Sequence, residues 1–138
     1  MAIDKVKYWM DLADYDIEVA ELMHTGGRWL YVGFMCHQVI EKSLKAYWNS
    51  VREDEPPYIH NVKNLAVSCG LYTKMDDEQK MFLDILTPLN IEARYPSYKE
   101  RLANSLSEEK AKDIIDKTKT LQLWIKQKLS NLQKDIKA

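Results

Sequence analysis

The sequence predicts an all-α protein, an antiparallel up-and-down bundle of about five helices in one domain spanning residues 1–138. Three observations lead there. The chain holds only 4 Gly and 4 Pro, about half the roughly 12% that average usage would give. A β-sandwich of this length needs a turn signal every ~8–12 residues, and those signals are missing. Long segments instead repeat apolar residues at steps of three and four, the period of a helix.

The first helix is predicted from about Ile3 to Met23. Val6, Met10, Ala13, Ile17, Ala20 and Met23 form one apolar stripe, with Asp11, Asp14, Glu18 and Glu21 off it. Gly26-Gly27 ends it, because glycine takes a left-handed cap without steric cost. So short a break implies an αα-hairpin. The second helix is predicted from about Arg28 to Val51. Glu41, Lys45, Gln38, Lys42, Asn49 and Arg52 gather in one polar sector, and apolar residues fill the rest of the wheel. An arc that wide belongs to a central helix packed on several sides. Gly33 inside it costs about 1 kcal/mol relative to Ala, which a close approach by a neighbour would offset.

Arg52 to Ile59 is a loop marked by acids and Pro56-Pro57. His60 or Asn61 then opens a short helix that Gly70 stops. The next helix starts at Asp76, where Asp76 and Gln79 make a variant capping box. Phe82, Ile85, Leu86, Leu89 and Ala93 form its expected core face. Pro88 is expected to kink it, and Pro96 to stop it at Arg94 or Tyr95. Pro96 to Leu106 has no clear period and is expected to be a polar loop. Ser107, with Glu108 and Glu109 in the first turn, caps the last helix. Its stripe is Ala111, Ile114, Thr118, Leu121, Ile125, Leu129, Leu132 and Ile136.

The formal net charge of −1 argues against a generally basic nucleic-acid coat protein but leaves room for a local basic patch. The 2 cysteines are too few for a disulfide framework. The first residues lack the apolar core of a signal peptide, and no apolar run is long enough for a membrane. A cytoplasmic protein without membrane association is the expectation. No phosphate loop is present. The histidines and cysteines lack zinc-ligand spacing, so neither a metal nor a cofactor is expected.

Two clusters carry chemistry. His37, Glu41 and Lys45 follow one another at steps of four on one face of the second helix. Their plain reading is a core-edge histidine satisfied by Glu41. The sharper reading gives His37 or Glu41 a role as a base. The second cluster is Arg94-Tyr95-Pro96 followed by Tyr98, Lys99 and Arg101. Arginine suits bidentate phosphate contacts and an aromatic face suits base stacking. Its plain reading is a surface loop whose arginine pairs with an acid such as Glu41.

The chain resembles the HEPN domain family along nearly its whole length. The residues that carry the likeness are LADYDIEVAELM in the first helix, YVGFMCHQVIEKSLKAYW in the second, PPYIHNVKNL, and EARYP. The resemblance implies a helical bundle, usually dimeric, linked with nucleotide or RNA binding. It also implies pairing with a minimal nucleotidyltransferase, as in toxin–antitoxin pairs. The family resembles the helical substrate-binding domain of some aminoglycoside nucleotidyltransferases. Its ribonuclease members carry an Arg followed four to six residues later by His. Arg94 matches that Arg, but YPSYKERL follows it with no His. Cleavage without a metal needs a general base, and arginine does not deprotonate in proteins.

The leading expectation is therefore a module that binds a nucleotide or RNA phosphate through Arg94, with Lys99, Arg101 and Lys45 nearby and Tyr95 or Tyr98 on the base or ribose. One alternative is a metal-independent ribonuclease toxin using Arg94 with His37 or Glu41. Another is a homodimeric interaction module built on the last helix and the wide apolar face of the second.

Overall fold

The central helix forms where the sequence is most apolar. In the computed structural model, which describes residues 4–91 and 96–137 and side chains as far as Leu132, α2 (Trp29–Val51) buries residues around its whole circumference. It packs against α1 (Lys5–Thr25), α6 (Glu108–Lys137), α3 (Val62–Ser68) and α4 (Asp77–Leu86). Six α-helices and two 3₁₀ turns, with no strand, make up the described residues. Most of the wide apolar arc of α2 is thus covered within the chain itself.

Polar contacts fix the register. Asp16 of α1 pairs with Lys42 of α2, Trp9 donates to Asn49, and Lys5 reaches Glu53 and Glu55. Rising numbers on α1 meet falling numbers on α2, so the two run antiparallel. Asp14 pairs with Lys126, and Glu21 with Lys119, so α6 is antiparallel to α1 as well. The turn between α1 and α2 rests on Gly27, whose φ of 71° is left-handed.

The capping predictions hold. Asp76 and Gln79 exchange bonds with each other's backbone N–H groups in a full capping box. Asn61 caps α3, and Ser107 accepts from the Lys110 N–H at the start of α6. A Cβ on Gly33 would stand 3.2 Å from Leu89 Cδ1, so the close approach expected there exists. It is made by a 3₁₀ turn, Thr87–Leu89, and not by a helix.

Three expectations need correction. The helix begun at Asp77 does not run kinked to Arg94; it ends at Leu86 and passes into that 3₁₀ turn. Pro88 offers no N–H to continue the α-helix, so the Thr87 N–H closes the last turn on the Leu83 carbonyl, which also accepts from the Thr87 hydroxyl at 2.8 Å. On α4, Ile85 is 45% exposed, while Leu83, absent from the expected core face, is fully buried. The segment from Pro96 is no loop: Pro96–Ser105 forms α5. Proline suits the first helical position, and Lys99, Glu100, Arg101, Leu102 and Ala103 are good helix formers. None of the α5 residues is buried, which is why no apolar period marked it. Ala93, Arg94 and Tyr95 lie outside the described residues.

Candidate functional site

The step of four along α2 stacks His37, Glu41 and Lys45 on one face, and the bundle then seals that face. Against the expected polar sector, Glu41 is 4% and Lys45 7% exposed, and His37 is wholly buried. A buried charge needs a partner, and Glu41 finds one in Lys45, whose Nζ donates to Oε2 at 3.2 Å. The Lys45 ammonium also lies 5.3 Å above the Trp9 ring centroid, a cation–π contact. Lys45 is therefore engaged inside the bundle, away from any open surface.

The other carboxylate oxygen faces two imidazoles. His60 Nδ1 is 3.4 Å and His37 Nδ1 3.8 Å from Glu41 Oε1. Neither approach makes a hydrogen bond, and Oε1 and both His37 ring nitrogens are buried without a partner. The expectation that Glu41 satisfies His37 is thus not met. Burial holds His37 down to about 4, aided by the charges of His60 and Lys45 and opposed by the His60 backbone beside it. His37 is neutral at pH 7 and closed to solvent.

His60 differs: its side chain is 56% exposed. It arrives from the loop after Pro56-Pro57, one residue before the α3 cap at Asn61. With Nδ1 toward the Glu41 carboxylate, its opposite ring edge is turned away from the buried acid. Sequence reading placed His60 only as a helix opener; the signal that could have found it was the stiff Pro-Pro loop leading back toward the end of α2.

The second cluster lies on α5. Tyr98 and Lys99 are half-buried and Arg101 is exposed. The Arg101 guanidinium carbon stands 5.6 Å from the Tyr98 ring centroid. On the inner side of α5, Leu102 and Ser105 line a cleft of about 550 Å³ with Pro88, Leu89 and Ile114. Arg94 and Tyr95, two of the expected contacts, lie just before α5 and outside the described residues.

Nucleophilic chemistry has little support. Cys36 is buried, which pushes its thiol up to about 12, and burial raises Cys69 as well. Among the described residues, no group of three His, Cys, Asp or Glu side chains is arranged to hold a metal. No helix among them is long and apolar enough to cross a membrane.

Comparison with known proteins agrees with this architecture. The HEPN domain model matches residues 6–129. The crystal structure of TT1696 from Thermus thermophilus superposes with a TM-score of 0.76 at 15% identity, covering 91% of this chain and 99% of that one. No curated protein matches the chain.

Proposed function

The chain belongs to the HEPN domain family, and on that premise we propose that it is a binding module for a nucleotide or RNA phosphate. The observation that carries this reading is the pairing of Arg101 with the Tyr98 ring on α5, directly after Arg94-Tyr95-Pro96. Such a pair offers a guanidinium for phosphate and an aromatic plane for a base. Lys99 adds a cation on the same short helix. In this reading Arg94 and Tyr95 extend the contact surface, and Lys45 serves the fold. The module acts beside a nucleotidyltransferase in a toxin–antitoxin-like pair.

Titration of the purified chain with ATP, GTP and a short single-stranded RNA tests the site. Arg94→Ala and Arg101→Ala are each expected to weaken binding by about tenfold. Affinities unchanged in both variants would remove the assignment.

One observation favours a second reading, a metal-independent ribonuclease. The exposed His60, with its Nδ1 toward Glu41, is better placed than the sealed His37 to accept a 2′-hydroxyl proton. Cleavage of RNA in the presence of a chelator, lost in His60→Ala and kept in His37→Leu, would support it. No cleavage by the unaltered chain would sink it.

A further inference from the structure

The first helix carries a second apolar stripe that the bundle does not use. Its core side is Ala13 and Ala20, flanked by Val6, Met10, Ile17 and Met23. On another face, Tyr8, Leu12, Tyr15, Val19 and Leu22 follow at alternating steps of four and three. That spacing is the seam of a coiled coil. Tyr8 is 52%, Tyr15 66% and Leu22 70% exposed. Leu12 and Val19 are half-buried, yet neither is among the residues packed on the core. The stripe runs about 21 Å along the helix, and an exposed apolar row of that length marks an interaction site.

The charges beside the stripe say what fits it. Asp4, Asp11 and Glu18 recur every seven residues along one edge, all exposed. Lys7 beside them pairs with Asp11 at 2.6 Å, which offsets one of the three negative charges and leaves the edge net acidic. The other edge descends toward α2, where Asp16 is already paired with Lys42. A second copy laid antiparallel on the stripe would set Asp11 and Glu18 against the same acids, and like charges across an interface oppose association. An anionic lipid surface would be repelled in the same way.

We propose that this face of α1 docks an amphipathic helix of another protein. That helix carries an apolar seam of the same four-three spacing and Lys or Arg along the edge that meets Asp4, Asp11 and Glu18. The proposal involves neither α5 nor the Glu41 cluster, so it stands or falls apart from the phosphate-binding reading.

Two labelled synthetic helical peptides of about three heptads test it. Both carry leucine along the seam; one has Lys and the other Glu at the flanking positions. Fluorescence anisotropy with the full chain is expected to show the basic peptide binding at least about tenfold tighter than the acidic one. Tyr15→Ser and Leu22→Ser should each weaken it by about tenfold or more, with unchanged circular dichroism, since both residues are exposed. Glu18→Lys should shift the preference toward the acidic peptide. Equal binding of the two peptides, binding of neither, or full affinity in Tyr15→Ser would overturn the proposal. So would a dimer in sedimentation equilibrium that Tyr15→Ser dissolves, because the occupant would then be a second copy.

Discussion

His60 Nδ1 stands 3.4 Å from Glu41 Oε1, joining the loop before α3 to the middle of the central helix. The same carboxylate holds Lys45 through Oε2. Lys45 therefore depends on Glu41 for its charge balance. Glu41→Ala leaves a buried ammonium unpaired, which costs about 3–5 kcal/mol. Urea unfolding should show that loss as a lower midpoint with an unchanged slope. A cost below about 1 kcal/mol would show the pair to be as weak as a surface one.

Acid should weaken the fold through His37. Its folded-state value of about 4 lies below the ordinary 6.5, so between those values the unfolded chain binds more protons. Stability then rises with pH. The contribution is complete above about 6.5 and is lost as pH falls toward about 4. At 1.36 kcal/mol per pH unit it amounts to about 3 kcal/mol. His60, Glu41 and Lys45 face the same site, so the measurement is a difference between the unaltered chain and His37→Leu. The variant should match or exceed the unaltered chain at pH 7, since it removes two buried nitrogens without partners. Its lead should grow on acidification. Parallel curves would refute the assignment.

The same cluster shows how far sequence reading reaches. Breaks and caps were legible because they are local: Asp76 and Gln79 lie three residues apart and Gly27 sits inside its own turn. The stacking of His37, Glu41 and Lys45 was legible from the helical period. The arrival of His60 was not, because it depends on where a loop lands after α2 has ended. Nor was the burial of Glu41 and Lys45, which looked like a solvated sector until the loop, α1 and the rest of the bundle closed over it. α5 went unread for a different reason. A surface helix with no buried residue has no apolar stripe to betray it, and its evidence was only a run of good helix formers after a proline. On α1, one sufficient core stripe drew attention from the second.

Gly33 and Leu89 should be energetically coupled. In an isolated helix Gly→Ala gains about 1 kcal/mol. Here the new Cβ meets Leu89 Cδ1 at 3.2 Å and Cδ2 at 3.3 Å, and Leu89 is itself buried beside Pro88. Gly33→Ala should therefore gain less than that, or lose, in the unaltered chain. With Leu89→Ala in place the obstacle is gone and the full gain should return. A double-mutant cycle from urea unfolding should give a coupling of about 1 kcal/mol. Additive effects would mean that Leu89 moves aside freely.

The α5 surface makes the sharpest test of binding, because altering it should not disturb the core. Arg101 is exposed, so Arg101→Ala should unfold near the unaltered midpoint. If Arg101 holds a phosphate, its removal lowers affinity for every RNA sequence alike. It also flattens the dependence of log affinity on log salt by about 0.7, the share of one phosphate on a single strand. If the Tyr98 ring stacks on a base, Tyr98→Ala costs about 1–3 kcal/mol of binding, whereas Tyr98→Phe keeps the plane and most of the affinity. The salt slope separates the two roles: it changes for Arg101→Ala and stays put for Tyr98→Ala. An unchanged slope in Arg101→Ala would take the guanidinium out of the phosphate site and leave it as the Tyr98 ring's neighbour alone.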